Sequence, residues 1–164
     1  MELPRSTESV QHMCAAHINP LWAKWFKSLY VHEYLVKCGY FYLAATVIVT
    51  IMSSALFFMN LELGNPEFAL YLLPMLFCIH FLNMARWLNS CSKSVTYELI
   101  SCGKAVSRSL DNIRSWVNGA EFEPIEFNSP HTKYMFDIMP KFAKNYVENK
   151  SYYAMAVFLK RLLP

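Results

Sequence analysis

Charge is scarce in this chain. Of its 164 residues, 16% are Asp, Glu, Lys or Arg, while 55% are hydrophobic. A soluble domain carries about 25% charged and about 45–50% apolar residues, so part of the surface is expected to face lipid or a partner. Runs of like charge are missing as well. The net charge is only +3, and no five consecutive residues are basic, which argues against nucleic acid as a partner.

Chemistry-bearing patterns are also absent. No GxGxxG, P-loop, HExxH or GxSxG motif occurs, nor any paired-carboxylate or Cys/His nucleophile arrangement. Five cysteines stand apart at 14, 38, 78, 91 and 102 without a CxxC pair. That spacing gives no support for a zinc site or a disulfide framework; Cys38 and Cys78 are expected to pack, and Cys91 is a candidate for S-acylation. His12 and His17 are five apart, off the i, i+4 spacing for one metal. The sequence thus nominates no catalytic residue, no metal site and no cofactor. The first twenty residues lack the apolar core of a secretory signal, so either insertion through internal segments or an already mature sequence is expected.

What is present is apolar length. Cys38 to Leu61 is 24 residues without a charge, about 36 Å as a helix, enough to cross a hydrocarbon core of about 30 Å. Phe68 to Ala85 is 18 uncharged residues, about 27 Å, although Pro74, His80 and Asn83 interrupt its apolar character. Between them Glu62-Leu-Gly-Asn-Pro-Glu67 reads as a turn, with Asn65 as cap and Pro66 at the first helical position of the second segment. These features predict an all-α fold: an integral membrane helical hairpin of two transmembrane helices with flanking amphipathic helices.

The division expected is an N-terminal interfacial segment and helix (1–37), the hairpin (38–88), an amphipathic helix (89–119), then an acidic linker and C-terminal helices (120–164). Lys24, Lys27 and Lys37 precede the first span; Arg86, Lys93, Lys104 and Arg108 follow the second; the turn has no Lys or Arg. The positive-inside rule therefore puts both termini on the cytoplasmic or matrix side. Trp22, Trp25, Lys24 and Lys27 read as interfacial anchors before the first span, and Arg86 and Trp87 as anchors after the second.

Three features invite a functional reading. His80 and Asn83 share a helix face. They form either a ligand or proton-relay position or, as the sequence favours, a pair hydrogen-bonded to Thr46, Thr50, Ser53 or Ser54 of the first span. Next, Val95, Leu99, Cys102, Val106, Leu110, Ile113 and Val117 recur at steps of 4, 3, 4, 4, 3 and 4. That is a helix stripe suited to meeting a partner helix, with Glu98 and its charged neighbours on a solvated face, Ser90 or Ser92 as cap and Gly119 as stop. Finally, helices are expected from Asn19-Pro20, from Ser129-Pro130 with a kink near Pro140, and from Ser151.

The function expected is that of a non-catalytic accessory subunit of a larger membrane complex, its partners the lipid bilayer and other membrane-protein subunits. An energy-converting organelle complex, such as one in the mitochondrial inner membrane, is a candidate setting. A membrane-shaping or self-assembling channel-like hairpin protein is the alternative, and a His80-centred enzyme or ligand binder a third.

Overall fold

The structure is a computed structural model that describes residues 6–64 and 67–162, with the side chains of Phe68 and Leu162 outside the description. Among the described residues every regular element is a helix: α1 (Thr7–Glu62), a 3-10 helix (Phe68–Leu72), α2 (Met75–Val117), α3 (Pro130–Ile138) and α4 (Lys141–Leu162). The expected roles of Asn65 and Pro66 lie outside the described residues. The chain divides into two compact units, an apolar one of residues 33–92 and a mixed one of residues 1–32 with 93–164.

The helix boundaries correct the sequence reading in several places. No helix begins at Asn19-Pro20, because Pro20 lies inside α1. A proline there removes one intrahelical N–H, and the burial of Ile18 and Leu21 on either side of it offsets that loss. Ser6 opens α1 by accepting a hydrogen bond from the Ser9 amide at 3.3 Å, the N-cap geometry. The second apolar segment is not one α-helix: residues 68–72 are 3-10, and α2 starts at Met75 directly after Pro74. A proline at that point does not break the α-helical ladder. Nor do Ser90 and Ser92 start a new helix, since α2 runs unbroken from Met75 to Val117.

Gly119 does stop α2. At φ 96° it sits in the left-handed region that side chains disfavour. Its amide donates to Trp116 O at 3.0 Å and the next amide, Ala120, to Ser115 O at 3.1 Å, which is the Schellman pattern. The helical stretch after Ser129 breaks at Pro140 into α3 and α4 rather than kinking, with Met139 extended. Ser151 begins nothing; its hydroxyl donates back to Val147 O at 2.7 Å inside α4.

In the apolar unit, Thr46, Ser53 and Leu35 of α1 and Cys78, Ala85 and Leu88 of α2 are the buried residues that join the two helices. Contacts pair Tyr42 with Phe81, ring centroids 6.0 Å apart, and Thr50 Oγ1 with Cys78 Sγ at 3.4 Å. Most other large side chains of this unit are exposed, from Tyr40 and Phe41 to Ile79 and Leu82.

In the mixed unit, the first part of α1 packs against the second part of α2. Ile18 and Leu21 meet Val106 and Ile113, and Val10, Met13, Trp22, Val117, Phe122 and Phe127 close around them. Cys102 Sγ donates to Leu21 O at 3.4 Å. The segment 120–129 is pinned along its length: His17 stacks on Phe122 at 4.5 Å, Asn112 Nδ2 donates to Glu123 O at 2.9 Å, and Lys24 Nζ donates to Phe127 O at 2.7 Å.

Candidate functional site

His80 and Asn83 do share a face, and it is an exposed one. Two of the hydroxyls expected to bind them have other partners. Thr46 Oγ1 donates to Tyr42 O at 2.9 Å and Thr50 Oγ1 to Thr46 O at 2.8 Å, the i−4 back-bonding open to Thr in a helix. The residue of α2 that meets this row is Cys78, whose thiol lies 3.7 Å from Thr46 O. The reason is angular: Cys78 is two residues from His80, about 200° around a helix, so packing the thiol inward turns the imidazole outward.

The predicted stripe is covered at all but one of its residues. Val95, Cys102, Val106 and Ile113 are buried, and Leu99 and Val117 partly so, but Leu110 is 48% exposed. Glu98, Ala105 and Ser109 are buried in addition. The buried row therefore takes in Val95, Glu98, Cys102, Ala105, Val106, Ser109 and Ile113. Small side chains let the neighbouring backbone come close. The helix that the row meets belongs to the same chain, at Ile18 and Leu21. Burial pushes the Cys102 thiol up to about 11 against a weaker opposing pull from Lys24, so it stays protonated and packs as a small apolar group. Partial burial also raises the Cys91 thiol.

Glu98 links three helices of the mixed unit and is the residue that the sequence reading put on a solvated face. It is 9% exposed. Its Oε1 accepts from the His131 amide at 2.7 Å and lies 2.9 Å from His131 Nδ1. Its Oε2 accepts from the Thr132 amide at 2.8 Å and the Thr132 hydroxyl at 2.7 Å. Thr132 Oγ1 in turn lies 3.0 Å from Ser28 Oγ, so α1, α2 and α3 converge on one carboxylate. Ser129, the N-cap by position, makes no side-chain cap; Glu98 supplies the negative charge and the acceptors that the first turn of α3 lacks. Burial alone would push the Glu98 carboxyl up. The hydrogen bonds from Thr132 and His131 outweigh it and hold the carboxyl below the ordinary glutamate range.

A cleft of about 350 Å³ opens beside this group, lined by Ser94, Tyr97, Ser101, Phe127 and His131 among others. A carboxylate paired with an imidazole can orient a general base. Here, however, the carboxylate is already committed to two backbone amides and a hydroxyl, which is the work of a structural cap. No group of three or more His, Cys, Asp or Glu that could hold a metal is gathered among the described residues.

The residues read as N-terminal anchors are engaged within the mixed unit. Trp22 stacks on Phe158 at 4.4 Å and edge-on against Trp25 at 5.5 Å. Lys24 holds the Phe127 carbonyl, and Lys27 Nζ sits 3.6 Å from the centroid of the Phe136 ring, a cation–π contact. Arg86 and Trp87 are exposed on α2. Arg86 lines a groove of about 430 Å³ in the apolar unit, which also includes Leu35, Gly39, Leu43, Leu82 and Asn89.

A search of protein-family models, curated proteins and solved structures finds no significant match to this chain.

Proposed function

We propose that residues 38–85 cross a bilayer twice as a helical hairpin and that the chain serves as a non-catalytic accessory subunit of a larger membrane complex. One observation carries the membrane part. Thr7–Glu62 and Ala69–Val117 are long and apolar enough to cross a membrane, yet only 6% and 11% of their most apolar windows are buried within the chain. A core helix of a soluble protein passes the same length and composition test but is covered by its own fold. In water these uncovered side chains would cost about 25 cal/mol per Å², so a lipid or protein environment is what the surface fits. Basic residues at both outer ends of the apolar run, and none in the described part of the turn, support termini on the cytoplasmic or matrix side.

The accessory-subunit reading rests on the mixed unit. Its core holds Ile18, Leu21, Val106 and Ile113, yet Tyr97, Ile100, Tyr134, Phe142, Tyr152 and Tyr153 are each more than half exposed. Exposed aromatics of this kind mark protein interfaces. The membrane-shaping alternative needs a free amphipathic helix to wedge a leaflet. The best candidate, the α2 stripe, is largely covered by α1.

Two measurements test the reading. The protein should resist alkaline carbonate extraction from membranes, and in mild detergent it should migrate on a native gel as a discrete species much larger than 19.1 kDa. Release by carbonate overturns the hairpin. Migration as a free monomer overturns the subunit role alone.

A further inference from the structure

We propose that the groove beside Arg86 binds one anionic phospholipid, with its phosphate on Arg86 and Asn89 and an acyl chain along Leu43 and Leu82. The proposal rests on the membrane reading above and gives it a specific ligand.

The groove is built from two helical rows. Leu35, Gly39 and Leu43 are spaced i, i+4, i+8 on α1; Leu82, Arg86 and Asn89 are spaced i, i+4, i+7 on α2; all six line the cavity. Such spacings put each trio on one helix face. The volume of about 430 Å³ falls within the roughly 300–1,000 Å³ of small-ligand sites. The space beside Gly39 is open: a Cβ added there would meet nothing within 4 Å.

Charge and polarity select the occupant. Arg86 is the first charged residue after the 18 uncharged residues of the second apolar segment. No acidic residue lines the groove, and the nearby Glu33 is bridged to Lys37. A guanidinium offers a planar fork of donors that matches a phosphate, and Asn89 adds an amide on the same face. A free phosphate would leave the exposed apolar side chains of Leu43 and Leu82 uncovered. A phospholipid covers them, because its own order from tail to phosphate follows the order from Leu82 to Arg86 and Asn89.

The test uses the full chain in nanodiscs of equal phosphatidylglycerol and phosphatidylcholine, followed by native mass spectrometry of retained lipid. The wild-type chain should hold one phospholipid with about a fivefold preference for the anionic one, the worth of one basic residue at an anionic surface. Arg86→Gln should abolish the preference while lipid is still retained. Gly39→Leu should fill the groove and lower retention of both lipids, with helix content unchanged, whereas Gly39→Ala should behave as wild type. Equal retention of both lipids by the wild type, or an Arg86→Gln chain that keeps the preference, overturns the proposal while leaving the membrane reading standing. A chain that carbonate extracts from membranes overturns both.

Discussion

The two units of this chain are built from the same two long helices, yet they treat apolar side chains in opposite ways. In residues 33–92 small and polar groups predominate inside: Thr46, Ser53, Cys78 and Ala85 are buried beside Leu35 and Leu88, while Ile48, Ile51, Phe58, Phe77 and Ile79 are exposed. In the mixed unit the core is the ordinary kind, with Ile18, Leu21, Val106 and Ile113 inside. The inverted arrangement suits a solvent as apolar as the side chains themselves, where helix association depends on close approach rather than on hydrophobic burial.

The same chemical change should therefore have different consequences in the two units, and the largest effect is expected from a charge placed on the apolar one. Ile51 and Ile100 are 63% and 52% exposed. Ile51→Lys should oppose insertion by about 3 kcal/mol and raise the carbonate-extractable fraction sharply; Ile100→Lys should leave it unchanged. Equal extraction of the two variants would erase the distinction between the units.

Next in size is Glu98, which should matter far more than any exposed carboxylate. Glu98→Ala leaves the Thr132 amide buried without its acceptor and should destabilise the mixed unit by about 2 kcal/mol in thermal unfolding. The pH dependence has a definite sign. Because folding lowers the Glu98 carboxyl below its ordinary range, its contribution is present at neutral pH and is lost as the pH falls through the folded value. Hydrogen exchange of the Thr132 amide should therefore speed up on acidification relative to the intrinsic rate. Glu98→Gln should flatten that change, and a slope unaltered in this variant would remove Glu98 from the account.

A finer comparison lies along α2. Ile113→Val, in the core, should cost about 1 kcal/mol, while Leu110→Val, on the exposed side, should fall within about 0.5 kcal/mol of wild type. Comparable costs at the two positions would return Leu110 to the stripe that the sequence alone suggests, since that stripe holds both residues. The smallest effect is expected at Ser129. An N-cap Ser→Ala change commonly costs about 1 kcal/mol, but Glu98 performs that function here, so Ser129→Ala should shift the melting temperature hardly at all.

Several elements were legible before any coordinates. The two apolar runs, the stop at Gly119 and the start at Pro130 follow from local rules: uncharged length, a left-handed glycine, a proline at a first turn. The merging of helices was not legible. Local signals at Pro20, Ser90 and Ser151 mark places where a helix can begin, but packing of Ile18 and Leu21 across the proline carries α1 straight through. Glu98 was misplaced for a related reason. Its spacing from Val95 and Cys102 fits the buried row as well as Leu99 does, and periodicity favours the apolar residue when it cannot see a remote helix start that needs a carboxylate.

The sequence by itself determined that this chain is helical and that two stretches are long and apolar enough to cross a membrane. Those properties belong to single residues and to short spacings. Only the tertiary structure decided which side of each helix is buried, that Cys78 rather than His80 meets the first apolar stretch, and that Glu98 closes the end of α3. A helix face turns by about 100° per residue, so a choice between neighbouring residues is settled by what lies across from them.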